Sequence, residues 1–366
     1  MVNRRDVLKG SVGLSAVGFV GLSGCTGSSG GGNSSGGGNS SGGGNSSGGG
    51  NSSGGGNSSG GGTIRAATVF NQDHIQARIL KRGVNNFIET AEGDYSLDLL
   101  AGSIGGEEDQ MEAAASGNVD IHSTSYGGLT NRYASGYGFL SAPFVAQSWE
   151  HLQAMEKEYV EGENGLNSVL SEEGGQRVIR AAYRGVRHTT SNKPVKSPKD
   201  LQGVPMRMPE ISSWIAPWKT IGVDVTPVQA DELYSGLQTG VVEASEGPIG
   251  QFVDFSLYEV QSHFSKTGHM IQAYPQVVST SFWDGLSDSE KETFNTAVDD
   301  AVNWGYETIQ SEFEDLTQMV QEEHDTTVIP ADEVDQQAFQ ETAAPEIRRL
   351  FEENWNTSYD DVQSLV

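Results

Sequence analysis

Between Arg184 and Arg207 the chain carries six cations, Arg184, Arg187, Lys193, Lys196, Lys199 and Arg207, against one acid, Asp200. The whole chain has 49 acidic and 22 basic residues, so this run of positive charge opposes the composition around it. The arginines near its two ends are the informative part. A guanidinium offers a planar fork of donors that grips a carboxylate through two parallel hydrogen bonds. Arg187 and Arg207 are therefore candidates for an anion site. Lys193, Lys196 and Lys199 alternate with proline and polar residues, the pattern of a solvated connecting loop. Arg184 is open, because the alternation along residues 181–187 fits either face of a strand.

Other chemistry finds little support. The sequence has no nucleophile elbow, Walker loop, dinucleotide fingerprint or HExxH motif. Residues 102–106 are glycine-rich but lack the lysine and spacing of a phosphate loop. The seven histidines, at 74, 122, 151, 188, 263, 269 and 324, show no metal-ligand spacing on one helix face. Cys25 is the sole cysteine, which excludes a disulfide framework and cysteine-based metal sites. Neither an enzyme nor a bound cofactor is expected.

The elements that would position the arginines follow an α/β alternation. Residues 63–70 suit a buried strand, and the apolar positions 75, 79, 80, 84, 87 and 88 have helical period. Strands are expected over 95–100 and 119–123, with a helix over 107–116 between them. This order predicts a parallel sheet with helices on its faces. A second block repeats it, with strands near 177–183 and 200–208 and helices over 211–221 and 231–240. Ser287 and Glu290 form a capping-box signal that opens a long amphipathic helix to about residue 324, roughly 54 Å at 1.5 Å per residue. A helix of that reach could touch two lobes, and the 304 residues from Thr63 onward are many for a single core.

The N-terminus reads as an address rather than a fold. Arg4 and Arg5 precede an apolar run, residues 12–22, which is far shorter than a membrane span. Residues 1–25 therefore read as a twin-arginine-type signal, and its ending LSGC resembles a lipobox with Cys25 as the lipidation site. Residues 26–62 form a Gly/Ser/Asn linker built on NSSGGG with period six, which has no apolar side chain to bury. As a flexible coil it would span roughly 30–36 Å. Each repeat also spells Asn-Ser-Ser, an N-glycosylation acceptor pattern. The leader's three cations and one acid carry +2, so the remainder sits near −29 from a total of −27. These acids are scattered rather than clustered, which points to solubility in high salt and a halophilic source. Nucleic acid is excluded as a partner by this charge.

Several motifs in order carry a family resemblance. Arg187–Gly203 (RHTTSNKPVKSPKDLQG), Met206-Arg207-Met208-Pro209, Thr226-Pro227, Leu237–Val242 (LQTGVV), residues 255–261 (FSLYEVQ) and Thr267-Gly268-His269 resemble extracytoplasmic solute-binding proteins of TRAP transporters, the C4-dicarboxylate-binding (DctP) type. The likeness runs from Thr63 to the C-terminus. It implies an α/β, two-lobed fold like that of periplasmic binding proteins, with a ligand cleft between the lobes and a long bridging helix. Lobe I would take 63–185 and 274–312, and lobe II 186–273 and 313–366. It further implies capture of an organic carboxylate and delivery to a TRAP permease, from the outer face of the membrane to which Cys25 anchors the chain. Arg207 matches the family's salt-bridging arginine, and Arg187 the arginine that supports the anion or its partner. The family's Gly-Gln-Glu-Asn-Pro turn reads Ala244-Ser245-Glu246-Gly247-Pro248 here, and the resemblance makes Glu246 and Gly247 expected ligand-binding positions. Gly247 thus replaces an asparagine that contacts solute, leaving space and counting against short dicarboxylates or sialic acid. Trp214 and Trp218 share a helix face and are either core or cleft residues. Gln72 and His74 after the first strand, and Ser125 after the third, are either solute contacts or loop and cap residues. Some relatives use a metal ion to hold the acid. The rival readings are a binding protein of an ABC importer and, more remotely, an exported enzyme on the same scaffold.

Overall fold

The computed structural model describes residues 61–365. The twin-arginine leader, Cys25 and the linker up to residue 60 lie outside the described residues. Nine strands form one sheet: β1 (Gly61–Thr68), β2 (Asp94–Ala101), β3 (Ile121–Ser123), β4 (Gln176–Ser191), β5 (Pro205–Met208), β6 (Asp224–Pro227), β7 (Ala244–Gly247), β8 (His263–Ser279) and β9 (Thr327–Ile329). Their order is β2-β1-β3-β8-β4-β7-β5-β6, with β9 alongside β8.

The expected parallel sheet is present only in part. β1 runs parallel to β2 and β3, and β5 parallel to β6 and β7, so each α/β block does build a parallel patch. Between them lie β4 and β8, antiparallel to each other over nearly their whole length, with β3 and β7 antiparallel to them. The sheet is therefore mixed. The sequence disguises β8, where Lys266, Gly268, Gln272, Pro275 and Gln276 interrupt any apolar alternation, although the strand is buried on both faces over most of its 17 residues. β4 likewise continues to Ser191, well past the strand expected at 177–183.

Pairing of β4 with β8 shifts register three times, between Val178 and Arg180, Tyr183 and Gly185, and Arg187 and Thr189. The first two shifts are bulges that insert one residue into β4 and change which face the following side chains occupy, whereas at the third residues 266–269 of β8 loop out opposite His188. At the second, Arg184 is the unpaired residue and Gly185 adopts φ +116°, a region that side-chain-bearing residues avoid. Positions 184 and 187 would fall on opposite faces of a regular strand. The bulge lets both arginines enter the same buried space.

The long helix spans Asp288–Glu322, 35 residues, and opens on the expected capping box of Ser287 and Glu290. Phe294 and Val298 pack in a core with Ile64, Phe87 and Val278, while Val320 packs in another with Leu237, Phe252 and Phe264. The helix thus reaches the apolar cores on both sides of the β4–β8 pair. A third core joins Phe139 and Leu152 to Met206, Trp218, Phe339 and Phe351. The last residues also pack on the segment 136–151, where Asn356 N–H donates to Gly136 O at 2.9 Å and His151 Nε2 meets Val362 O at 2.9 Å. The chain after 313 therefore touches residues expected in lobe I as well as those of lobe II.

A Cβ at position 185 would lie 3.0 Å from Pro248 Cβ, on a backbone that already disfavours it. Gly185→Ala is expected to destabilise the fold by about 1–3 kcal/mol. Urea denaturation checks this, and an unchanged midpoint would show that the bulge is not under this constraint.

Candidate anion-binding site

The carboxyl ends of the parallel strands point to one region, the usual place for ligand contacts in α/β sheets. Phe70 and His74 follow β1, Ser125 follows β3, Arg207 lies near the end of β5 and Gly247 ends β7. β4 crosses the region and supplies Arg184 and Arg187, while β8 supplies His269, Gln272 and Tyr274.

Arg187 is 2% exposed and all three of its guanidinium nitrogens donate to neighbours. Nε and Nη2 donate to the two carboxylate oxygens of Glu246, Nη2 also to the Glu246 carbonyl at 2.9 Å, and Nη1 to Gln272 Oε1 at 2.6 Å. Glu246 is as deeply buried. Burial alone would raise its carboxyl. The Arg187 charge and the bonds from His269 and Arg187 outweigh that and hold it well below the usual carboxylate range. Since a carboxylate only accepts, the 3.1 Å contact places a proton on His269 Nε2. His269 Nδ1 then accepts from Thr267 Oγ1 at 2.9 Å, and Thr267 in turn accepts the Thr189 N–H at 3.1 Å. Six strand residues form one continuous network of hydrogen-bonded polar groups. Trp214 closes it above, with its ring 4.8 Å from the Arg187 guanidinium carbon.

Arg207 is arranged differently. It is 5% exposed, and among the described residues its only side-chain hydrogen bond runs from Nε to Val228 O at 2.8 Å. Burial pulls it down to about 10, so it remains charged at neutral pH. Its two terminal nitrogens, the fork that grips carboxylates, have no partner in the described chain.

Arg184, which the sequence left on either face, is 7% exposed and joins the same cluster. Its guanidinium carbon lies 4.5 Å from the Phe70 ring centre and 5.0 Å from that of Tyr274. Nη2 donates to Gln251 Oε1 at 3.1 Å, and Nε is enclosed without a partner. Burial lowers its pKa, and the Arg187 charge adds to the effect. The signal that would have placed it is Gly185, whose bulge reverses the alternation.

The remaining expected residues divide. Trp214 is in the cluster, with Nε1 enclosed and unpartnered, whereas Trp218 is a core residue packed edge-on to His269 at 4.8 Å. His74 caps the helix Ile75–Thr90 through Nδ1, stacks on Phe70 at 3.7 Å and approaches Asp254 at 3.3 Å through Nε2. Burial keeps it neutral. Ser125 caps the helix Tyr126–Tyr133 and donates to Glu107 at 2.7 Å, which also accepts from Tyr274 at 2.6 Å. Both thus act as caps at the edge of the cluster. Gln72 is exposed and lines a separate groove of about 700 Å³ between the helix Ile75–Thr90 and β2. The space expected beside Gly247 is filled: a Cβ there would meet Gln251 Nε2 at 2.6 Å. That amide donates to Glu246 O at 3.2 Å while its oxygen serves Arg184, so a side-chain amide returns to this position from the next helix. The family-like turn at 244–248 is itself strand β7, fully buried. As the alternation with proline indicated, Lys193, Lys196 and Lys199 are exposed in a connection, where Lys196 pairs with Glu333 at 2.6 Å. No group of three or more metal-ligating side chains occurs among the described residues.

A family model described as bacterial extracellular solute-binding protein, family 7 (DctP), matches residues 67–354, and the chain belongs to that family. It is a family of solute-binding proteins, not of enzymes, and it is extracytoplasmic. The chain is 26% identical over 283 residues to the sialic acid-binding periplasmic protein SiaP of Vibrio cholerae, covering 76% of this chain and 84% of that one. Among solved structures it is similar to a TRAP periplasmic solute-binding protein of Actinobacillus succinogenes with bound L-galactonate, at TM-score 0.75 and 24% identity over 83% of this chain and 99% of the other. One from Roseobacter denitrificans with bound 3-deoxy-D-manno-oct-2-ulosonic acid gives TM-score 0.74 and 25% identity, again over 83% and 99%. The α/β, two-lobed fold of these proteins is the fold of this chain.

The Arg187–Glu246 pair makes a signed prediction. Glu246→Gln leaves a buried guanidinium without its counter-ion and is expected to cost about 3–5 kcal/mol at neutral pH. A carboxyl depressed in the folded state stabilises it above the unfolded value, about 4.3, and loses that contribution as pH falls through the folded value. The stability gap between wild type and variant should therefore narrow between pH 5 and pH 2 in urea titrations. A gap that stays constant would contradict the pairing.

Proposed function

We propose that the protein is an extracytoplasmic receptor that captures an organic carboxylate in the cleft crossed by β4 and delivers it to a TRAP-type permease. One observation carries this reading: Arg207 is buried and charged, yet its terminal nitrogens have no partner in the described chain. A desolvated guanidinium without an ion-pair partner is costly, and an incoming carboxylate supplies one through two parallel hydrogen bonds. Arg187 acts beside it chiefly as support, because Glu246 and Gln272 take the Nε and Nη2 donors and one N–H of Nη1. It holds Glu246 away from Arg207 and supports the wall formed by Trp214.

Binding would favour the closed arrangement of lobe I (63–185 and 274–312) over lobe II (186–273 and 313–366), since the solute bridges them. β4, β8 and the helix Asp288–Glu322 are the elements that would flex. No cofactor enters this mechanism. The twin-arginine leader and Cys25 would export the domain and tether it outside the membrane, with the linker as leash. The scattered acids would keep it soluble in concentrated salt, where an exposed arginine would be screened within about 3 Å at molar ionic strength. Burial of Arg207 is consistent with that setting.

Titration calorimetry of the mature domain in molar salt, against sugar acids, 2-oxo acids and C4-dicarboxylates, tests the anchor. Arg207→Ala is expected to weaken the tightest of these at least a hundredfold while leaving the melting temperature of the ligand-free protein unchanged or higher. Equal affinity in the two proteins would remove Arg207 from the site.

A further inference from the structure

We propose that Arg184 forms a second anion subsite, so that the solute carries a second negative group at the end remote from Arg207. This rests on the carboxylate-receptor reading above and adds to it the chemistry of the other end of the ligand.

Three guanidinium groups are buried in the cluster, and one fully buried carboxylate, Glu246, answers only Arg187. The two acids nearest Arg184 are committed elsewhere. Glu107 accepts from Tyr274 and Ser125, and Asp254 faces His74. Among the described residues neither forms an ion pair with Arg184, on which their charges act only from a distance, and its one hydrogen-bond partner is the neutral amide of Gln251. Nε is enclosed with no partner at all. Phe70 and Tyr274 hold the guanidinium by their ring faces, fixing its position without neutralising it. A buried charge without an ion-pair partner persists where function requires it, because replacement by an apolar residue of similar volume is often stabilising.

The placement separates the two subsites. Arg207 lies on β5, two strands from β4 at roughly 4.8 Å per strand. Arg184 lies three residues before Arg187 on β4, roughly 10 Å of extended chain, beside Phe70 and Tyr274. Arg187, neutralised by Glu246, stands between them along the sheet. A solute with a carboxylate at one end and a carboxylate or phosphate at the other would meet an unpaired guanidinium at each. Gln251 and Gly247 cooperate here, since only a residue without Cβ lets the Gln251 amide lie against the strand and reach Arg184.

Matched acids separate the possibilities: D-gluconate, its diacid D-glucarate and 6-phospho-D-gluconate, with L-galactonate against galactarate, and glutarate against its monomethyl ester. Affinities are measured by calorimetry for wild type, Arg184→Gln and Arg184→Met. The doubly charged member of a pair is expected to bind wild type at least tenfold more tightly. That ratio should collapse in both variants, with the monoacid affinity nearly unchanged. Whether glucarate or phosphogluconate gains more identifies the second group as carboxylate or phosphate. In ligand-free protein, Arg184→Met should raise the melting temperature by about 2 °C or more. A ratio near one in wild type, or one unchanged in the variants, would overturn the subsite while leaving the receptor reading intact. Loss of monoacid and diacid binding together, with a lowered melting temperature, would make Arg184 a structural residue. No binding by any acid, of one charge or two, would overturn the receptor reading itself.

Discussion

Removing a guanidinium from water costs several kcal/mol even after relaxation, and the cost is met only by a well-placed counter-charge or by ligand binding. Here three arginines stand at most 7% exposed around a single fully buried carboxylate. The Arg187–Glu246 pair takes that carboxylate completely, with His269, Thr267 and Gln272 satisfying the remaining atoms. The other two cations are left in deficit. Everything near the cleft follows from that imbalance: the flat faces of Phe70, Tyr274 and Trp214 against guanidinium groups, the neutral Gln251 where a carboxylate could stand, and the Arg207 Nε bonded to a backbone carbonyl.

The scaffold makes this placement possible because β4 and β8 extend through both parallel blocks. Long antiparallel strands with bulges can present residues of either parity to one side, which a regular strand cannot. The helix Asp288–Glu322 packs alongside, with Phe294 in one core and Val320 in another. Its two ends therefore report on different halves of the molecule. A solute bridging the halves would alter the balance between open and closed forms only by contacting both, which is the role proposed for the two arginines that lack an ion-pair partner.

Much of this was legible in the sequence, for identifiable reasons. The capping box at Ser287 and Glu290 and the apolar period after it located the long helix. The strands β1, β2, β3 and β5 announced themselves as apolar runs and the lysines of 193–199 as a solvated connection, whereas β6 gave no signal and β7 read as a turn. Arg207 stood out because it sits in a short strand within an otherwise acidic chain. What could not be read depends on non-local pairing. β8 carries polar residues that are satisfied only by neighbours far away in sequence, such as Gln272 on Arg187, and so has no recognisable alternation. The capture of Arg187 by Glu246, 59 residues later, is invisible before the strands are paired. So is the filling of the Gly247 space by Gln251. Gly185 was the one local hint to Arg184, and its meaning required the bulge to be seen.

A crystal structure of the mature domain with its tightest-binding carboxylate would test the central claim most directly. The account predicts both oxygens of that carboxylate on the terminal nitrogens of Arg207, at about 2.7–2.9 Å, with Arg187 still paired to Glu246. A carboxylate seated on Arg187, with Glu246 displaced and Arg207 unbound, would contradict it.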